Sequence, residues 1–356
     1  MRRTRALHAL PATALSAALV ALGAGAAHAA PAAVPHAAQH AAKPMPAHVA
    51  APYFEAWTGE SPAALAAESG NKYLTLAFLQ TPNAGSCAAD WNGDATQPIG
   101  PGTFGADIAA LQARGGNAIP SFGGYSADTT GTELADSCAD VDAIAGVYEK
   151  LVTTYGISRI DLDIEADSLA NTAGIDRRNK AVAKAERWAE RTGRPLQFSY
   201  TLPTTTKGLE ANGLAVLQNA VANHARVDVV NIMTFDYYDG AAHDMAADTK
   251  TAADGLHAQL HALYPHKSAK DLWGKVGVTE MPGIDDFGPA ETFTTQNAAM
   301  VERWAAAQGI DTLSFWALQR DNGGCVGTAG ANACSGIAQD QWYFSHTFAP
   351  FGGRRS

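Results

Sequence analysis

Short apolar runs recur along the chain from residue 52 to residue 316, and most are followed by a loop and a stretch with helical spacing. The runs predict eight strands, at Pro52–Trp57, Tyr73–Leu79, Asn117–Phe122, Arg159–Ile164, Gln197–Leu202, Val227–Thr234, Val276–Thr279 and Thr312–Trp316. The stretches between them predict helices at Phe104–Arg114, Val141–Tyr155, Ile175–Arg191, Ala211–Asn223, Ala246–Leu263 and Thr294–Gln308.

This alternation predicts an α/β fold with a parallel sheet, because right-handed crossovers join successive parallel strands. Eight strands in a region of this length are typical of a single (β/α)8 TIM barrel. A doubly wound open sheet is the competing architecture, but no Gly-x-Gly-x-x-Gly turn follows the first strand. We expect one barrel domain over residues 52–349 and a short tail over residues 350–356.

The N-terminal residues have the pattern of an export signal. Arg2, Arg3 and Arg5 precede an apolar, Ala-rich stretch that ends in the cleavage pattern Ala27-His28-Ala29. A membrane anchor is the alternative, but the stretch is short and Ala-rich, whereas a span needs about 20 apolar residues. We expect a signal peptide over residues 1–29, a flexible Ala/Pro-rich leader over residues 30–51, and a secreted, extracellular protein. The export route stays open.

The cysteine count fits an exported chain. Four cysteines outside the cell predict two disulfides, for which three pairings are possible. Cys325–Cys334 would close a short Gly/Ala/Asn loop, and Cys87–Cys138 would then join two polar loops.

Charge and composition narrow the function classes. The formal net charge of −10 argues against a nucleic-acid backbone or an anionic membrane as the main partner. Hydrophobic residues make up 47% of the chain and charged residues 17%, which allows a sizeable core and excludes wholesale disorder. His257 and His261 have the spacing of the two histidines in a zinc-protease helix. Such a helix has a glutamate directly after the first histidine, whereas this chain has Ala258 there. We expect a monomer without a metal or a cofactor.

The barrel prediction places the active site at the carboxyl ends of the strands. Acidic and aromatic residues, two glycines and one glutamine lie at these ends. They are Trp57, Gln80, Gly123, Gly124, Asp163, Glu165, Tyr200, Asp236, Tyr237, Glu280 and Trp316. Aromatic rings suit the apolar faces of sugars, and carboxyl groups suit proton transfer.

The segment Asp161-Leu162-Asp163-Ile164-Glu165 carries the strongest chemical signal. Side chains alternate along a strand, so the three acids share one face and predict a column inside the barrel, with Glu165 at its mouth. Enclosed carboxyl groups repel one another and lose solvation, which favours a retained proton and supplies a general acid. A solvated edge strand and a calcium site are the alternatives.

These residues resemble the Asp-x-Asp-x-Glu signature of family 18 glycoside hydrolases, the chitinases and their relatives. Further segments resemble the family in the same order: Ser121-Phe122-Gly123-Gly124 at a strand end, Met233-Thr234-Phe235-Asp236-Tyr237 on the sixth strand, and Trp316 at the end of the eighth. The likeness runs from about Tyr53 to Asp321, and it is greatest to the bacterial and archaeal branch with Asp-Ile-Glu.

The resemblance implies retaining, substrate-assisted hydrolysis. Glu165 would protonate the glycosidic oxygen, and the acetamido oxygen of the substrate would attack the anomeric carbon. Asp163 would orient the acetamido N–H, Asp161 would share a proton with Asp163, and Asp236 would position the acetamido group. Trp316 would form the floor of the −1 sugar site.

The sequence departs from the commoner family pattern at two places. Ser158 stands where the longer signature often begins with an aspartate, and Phe235 stands where a tyrosine often gives its hydroxyl to the acetamido oxygen. Tyr237 either supplies that hydroxyl or is packed. Further residues could line sugar subsites: Trp57, Gln80, Gly123, Gly124, Tyr200, Met233, Glu280, Met281 and Asp285.

Three functions follow from the resemblance. A secreted chitinase that cuts β-1,4-linked N-acetylglucosamine polymers or oligomers is the favoured one. An endo-β-N-acetylglucosaminidase on N-glycans and a non-catalytic chitin-binding barrel are the alternatives, and the presence of Glu165 argues against the last.

Overall fold

The computed structural model describes residues 42–353. The predicted signal peptide, most of the predicted leader and residues 354–356 lie outside the described residues. The strands are β1 Val49–Ala50, β2 Tyr53–Glu55, β3 Tyr73–Gln80, β4 Asp90–Trp91, β5 Asn117–Gly123, β6 Arg159–Asp163, β7 Gln197–Pro203, β8 Val229–Met233, β9 Val276–Glu280, β10 Gly283–Ile284, β11 Thr292–Phe293 and β12 Thr312–Phe315.

The helices surround the main sheet. They are α1 Pro62–Ser69, α2 Gly105–Ala113, α3 Tyr125–Thr130, α4 Leu134–Ser137, α5 Val141–Tyr155, α6 Thr172–Thr192, α7 Ala211–Ala222, α8 Met245–Leu263, α9 Ala269–Trp273, α10 Thr295–Gln308 and α11 Tyr343–Gly352. The eight predicted strands and the six predicted helices are confirmed, with small shifts at their ends.

Parallel strands form the main sheet in the order β1-β12-β9-β8-β7-β6-β5-β3-β2. The two ends of this order belong to one segment, residues 49–55. The N–H of Val49 donates to Asp311 O at 2.8 Å on one side, and the N–H of Thr75 donates to Pro52 O at 2.9 Å on the other. The segment therefore joins β12 to β3, and the TIM-barrel prediction is confirmed.

The structure moves both predicted boundaries of the barrel domain. Val49 and Ala51 are fully buried, so the sheet begins inside the stretch that was predicted as leader. At the other end α11 continues to Gly352 and buries Phe351, which was predicted to lie in the tail. Both differences have the same cause. A short apolar stretch next to Ala- or Gly-rich sequence shows no clear helical or strand periodicity.

Strand β6 shows how the pattern of residues builds the barrel. Ile160 and Leu162 face outward into the core beneath the helices, while Asp161 and Asp163 face inward. At the closed end of the barrel, Arg159 makes a two-pronged ion pair with Asp311, with N–O distances of 2.7 and 3.0 Å. The barrel interior is therefore polar along this strand, and the apolar core lies between the strands and the helices.

The two disulfides join Cys87 to Cys138 and Cys325 to Cys334, with Cα–Cα distances of 4.7 and 5.9 Å. This is the pairing in which the second bridge closes a short loop. Within the part of the chain that the structure describes, none of the helices combines the length and the apolar character that crossing a bilayer requires.

Candidate active site

A cavity of about 620 Å³ opens at the carboxyl ends of the strands. Its wall is formed by Trp57, Phe78, Gln80, Asn92, Gly123, Tyr125, Ser126, Asp163, Glu165, Met233, Phe235, Asp236, Tyr238, Met281, Asp286, Trp316 and Asn332. Acids from β6 and from the loop after β8 therefore meet aromatic rings in one hollow. Its size fits the 300–1,000 Å³ that is typical of ligand pockets.

Asp161 lies below the cavity as the most fully hydrogen-bonded of the acids. The hydroxyls of Ser121 and Tyr53 donate to its Oδ2 at 2.7 and 3.0 Å, and those of Ser199 and Thr201 donate to its Oδ1 at 2.6 and 2.8 Å. Burial raises the pKa of Asp161, while these hydrogen bonds to the ionised form oppose the rise. These four bonds hold the carboxyl group of Asp161 in place, and the sharing of a proton with Asp163 stays a prediction.

Asp163 and Glu165 lie above Asp161 and reach the cavity. Asp163 is buried, and its Oδ1 has no hydrogen-bond partner among the described residues. Burial, followed by the charges of Glu165 and Asp161, raises the pKa of Asp163 well above its usual range. Burial also raises the pKa of Glu165 to about 7, although the backbone N–H of Tyr125 donates to its carboxylate and opposes the rise. Glu165 can therefore hold a proton near neutral pH.

Asp236 follows β8 in a left-handed conformation, with φ of 51°. Its N–H donates to Asp285 Oδ2 at 3.1 Å, and its Oδ1 accepts the N–H of Asp286 at 3.2 Å. Burial and then the charge of Asp285 raise the pKa of Asp236 to about 8. The carboxyl group of Asp236 therefore faces the cavity with a second acidic group directly behind it.

The acids behind Asp236 form a compact group. Oxygens of Asp236, Asp285 and Glu291 lie within 4.8 Å of one another, a spacing at which a cation could be held. Burial, followed by the charge of Glu291, raises the pKa of Asp285 to about 7, while backbone N–H groups that donate to Asp285 oppose the rise.

Aromatic rings form the opposite wall of the cavity. Trp316, at the end of β12, stacks on Phe78 with a centroid distance of 5.6 Å and an interplanar angle of 12°. Trp57 lies against both rings, at 6.0 and 6.4 Å, and remains 46% exposed. Flat, partly exposed rings of this kind offer apolar surface on which a sugar ring can lie.

Gly123 and Gly124 are required mainly because neighbouring atoms leave no room for a side chain. A Cβ on Gly123 would lie 2.0 Å from the carbonyl oxygen of Asp163, and one on Gly124 would lie 2.5 Å from the ring of Phe78. Both residues have φ in the left-handed region that favours glycine. Gly123 lines the cavity, whereas Gly124 does not, so only Gly123 stays a candidate for substrate contact.

Comparison with known proteins decides the family. The model of the family described as "Glycosyl hydrolases family 18" matches residues 49–281. This span includes Asp161, Asp163, Glu165 and Asp236. The chain is a member of glycosyl hydrolase family 18.

Two curated relatives have related sequences. The chain is 32% identical to the probable bifunctional chitinase/lysozyme of Escherichia coli strain K12 over 324 residues, which are 87% of this chain and 35% of that protein. It is 31% identical to endochitinase 11 of Metarhizium anisopliae over 291 residues, which are 78% of this chain and 53% of that protein. The chain thus spans between a third and about half of the length of these relatives.

Solved structures give a similar result. The catalytic domain of a hyperthermophilic chitinase from Pyrococcus furiosus has a TM-score of 0.74 and 30% identity, covering 87% of this chain and 97% of that one. Catalytic-site mutants of active domain 2 of a thermostable chitinase from the same organism, complexed with chito-oligosaccharides, match with a TM-score of 0.75 and 30% identity over 87% of this chain and 96% of that one.

Tyr200 and Tyr237, two tyrosines predicted for this family 18 site, do not line the cavity. Tyr200 is paired with Leu162 across β7 and β6, so it faces outward, and its hydroxyl donates to Asn179 of α6 at 3.0 Å. Tyr237 does not line the cavity; its ring lies against that of His243 with a centroid distance of 5.0 Å and an interplanar angle of 36°, and its buried hydroxyl has no partner among the described residues. The structure therefore favours the packed alternative for Tyr237, and it places Tyr200 outside the predicted sugar subsites.

Most of the other predicted residues reach the cavity. Its wall contains Trp57, Gln80, Met233 and Met281 as expected, together with the acids and Trp316. Glu280 does not, because it faces outward and accepts a hydrogen bond from Thr249 of α8 at 2.8 Å. Asp285 lies behind Asp236 and does not line the cavity.

Sequence reasoning missed several wall residues for identifiable reasons. A register shift between Ala77 and Leu79 breaks the alternation of β3 and turns Phe78 into the cavity. Asn332 is delivered by the loop that the Cys325–Cys334 disulfide closes. Tyr238 and Asp286 lie on loops without periodicity, although their position after predicted strand ends was a signal that could have found them.

Proposed function

We propose that this protein is a chitinase that hydrolyses β-1,4-linked N-acetylglucosamine polymers or oligomers. The observation that carries the proposal is the column of Asp161, Asp163 and Glu165, whose upper two members reach an aromatic-walled cavity. The relatives named chitinase or endochitinase, at 30–32% identity, support this substrate class.

In the proposed reaction Glu165 begins as a neutral carboxylic acid. It donates its proton to the glycosidic oxygen while the bond from that oxygen to the anomeric carbon breaks. The acetamido carbonyl oxygen of the substrate forms a new bond to the same carbon, which gives an oxazolinium ion. Glu165, now ionised, takes a proton from water, and the water oxygen opens the ring with net retention of configuration.

Asp163 and Asp161 stabilise the positive charge of the oxazolinium ion. The unpartnered Oδ1 of Asp163 is available to accept the acetamido N–H. Asp161 is held by four hydroxyls, and it supplies negative charge beneath Asp163 without moving. Fixed charge at the place where charge develops is an effective form of transition-state stabilisation.

Asp236 and Trp316 complete the proposed sugar site. Asp236 holds a proton near neutral pH and can therefore donate it to the acetamido oxygen, a contact that Phe235 cannot make. Trp316, stacked on Phe78, provides the floor on which the sugar at the cleavage point lies.

We also propose that the protein acts outside the cell. The two disulfides, Cys87–Cys138 and Cys325–Cys334, support this location because such bonds persist in oxidising compartments.

The test compares the native protein with Glu165→Gln on a chitin hexamer, with products separated by chromatography. We expect the native protein to release shorter oligomers and Glu165→Gln to lose about 10²- to 10⁴-fold in kcat, which is the usual contribution of general acid catalysis. Glu280→Gln is the matched control, because this buried glutamate lies at the end of another barrel strand, β9, and faces away from the cavity.

A parallel incubation with an N-glycosylated protein separates the alternative activity. Cleavage of the hexamer without release of N-glycans supports the chitinase proposal. Unchanged turnover by Glu165→Gln, or release of N-glycans with an intact hexamer, would overturn it.

A further inference from the structure

Asp128 is a buried acid beside the active site that the reaction proposed above does not use. It lies in α3, and only 1% of its surface is exposed. Its Oδ2 accepts the backbone N–H of Glu165, and its Oδ1 has no hydrogen-bond partner among the described residues. The side chain is thus bonded directly to the main chain of the residue proposed as general acid.

Glu165 and α3 are joined by two hydrogen bonds of opposite direction. The N–H of Tyr125, at the start of α3, donates to the carboxylate of Glu165. The N–H of Glu165 donates in turn to the carboxyl group of Asp128. One bond holds the side chain of Glu165 and the other holds its backbone, so the pair limits the movement of both.

The chain before α3 brings Asp128 close to β6. The N–H of Asp128 donates to Gly124 O at 3.0 Å, and the N–H of Gly124 donates to Asp163 O at 3.2 Å. A Cβ on Gly123 would lie 2.0 Å from Asp163 O and 3.4 Å from Asp128 Oδ1, so only glycine permits this approach. The helix is therefore docked against the strand that carries the catalytic acids.

Charged groups face Asp128 from each neighbouring element. Asp163 of β6, Glu165, Glu133 and Arg178 of α6 are the groups that act on it electrostatically. Burial and then Glu133 raise the pKa of Asp128 to about 9, while the Glu165 N–H and Arg178 oppose the rise. At neutral pH Asp128 is therefore uncharged and adds no negative charge next to Asp163 and Glu165.

We propose that Asp128 is a positioning residue for Glu165, which it holds in the productive orientation by accepting the backbone N–H of Glu165. The inference rests on the proposed function, because it assigns a role relative to Glu165 as the general acid. A displacement of a catalytic group by about 1 Å can cost on the order of 10²-fold in rate. The main effect of losing Asp128 falls on kcat, since the side chain does not line the cavity.

The test measures kcat and KM on a chitin hexamer for Asp128→Ala and Asp128→Asn. We expect Asp128→Ala to lower kcat by about 10- to 100-fold with KM changed by less than about two-fold. Asp128→Asn keeps the size and a neutral acceptor oxygen, so we expect kcat within about three-fold of the native value and an unchanged alkaline limb of the pH profile.

Asp321→Ala is the matched control. Asp321 is also fully buried and also accepts backbone N–H groups, those of Phe344 and Ser345 at 3.0 and 2.7 Å, but these belong to α11. We expect this variant to lower the melting temperature without changing kcat of the folded protein.

Three results would overturn the inference. Asp128→Ala could fold and keep the native kcat, or Asp321→Ala could lose as much kcat as Asp128→Ala. Alternatively, Asp128→Asn could lose ten-fold in kcat with an unchanged melting temperature. The last result decides the question even where Asp128→Ala does not fold. Activity in Glu165→Gln would refute the proposed function instead. An inactive Glu165→Gln together with unaffected Asp128 variants would refute only the role of Asp128.

Discussion

Aspartates and glutamates of one column receive different properties from their immediate partners. Asp161 accepts hydrogen bonds from four hydroxyls. Asp163, in contrast, has an oxygen without a partner in the described part of the chain, and three neighbouring acids act on it. Glu165 lies at the mouth, where burial alone accounts for most of its raised pKa. Carboxyl groups within one strand and its end therefore differ in their hydrogen bonds and in what raises their pKa.

The raised pKa of Glu165 predicts the pH dependence of activity. The first chemical step needs the protonated form, so kcat/KM should hold at acidic pH and fall as the pH rises through about 7. A pH profile of kcat/KM on a chitin hexamer measures this limb. A fall that is already complete near pH 5, as for a glutamate with an ordinary pKa of about 4.3, would contradict the assigned environment.

Individual strands and helices were predictable because their periodicity is strong. The alternation in β6 correctly placed Asp161 and Asp163 inward, and Ile160 and Leu162 outward. The same rule would have excluded Tyr200, whose register partner Leu162 faces the helices. Tyr237 lies in a loop, where the sequence has no periodicity that shows which way a side chain points. There the neighbouring residue, Tyr238, lines the cavity instead.

Two tyrosine variants test this assignment of faces. Tyr200→Phe removes a buried hydrogen bond to Asn179, so we expect a loss of about 1–3 kcal/mol in the free energy of unfolding with unchanged kinetics. Tyr238→Ala, at a cavity residue that is 65% exposed, should change stability by less than about 0.5 kcal/mol and raise KM. Denaturant unfolding and hexamer kinetics on both variants supply the comparison, and the reverse assignment of effects would be inconsistent with the structure.

Over the whole molecule, the sequence predicted the barrel and the location of the site, because alternating strands and helices leave few topologies. It did not predict how the barrel closes, since β1 has only two residues and follows an Ala/Pro-rich stretch. It also missed Asp286 and Glu291, which lie with Asp285 next to Asp236, because contacts between distant loops depend on the completed fold.

The segment of residues 49–55, which joins β12 to β3, predicts how far the chain can be shortened at its N-terminal end before stability is lost. A chain that starts at Ala42 keeps β1, whereas a chain that starts at Pro52 loses the buried Val49 and the hydrogen bonds to Asp311 O and Leu313 O. We expect the shorter chain to lose about 3 kcal/mol or more in the free energy of unfolding. Denaturant unfolding of both chains measures the difference, and equal stability would show that residues 49–51 do not close the barrel.

The stereochemistry of hydrolysis shows whether the substrate's acetamido group or water makes the first attack. Proton NMR during the first minutes of hexamer cleavage, before the anomers equilibrate, reports the configuration of the new reducing end. If the acetamido group attacks first, we expect the β-anomer to form first. Initial formation of the α-anomer would mean inversion and would contradict the mechanism assigned to Glu165 and Asp163.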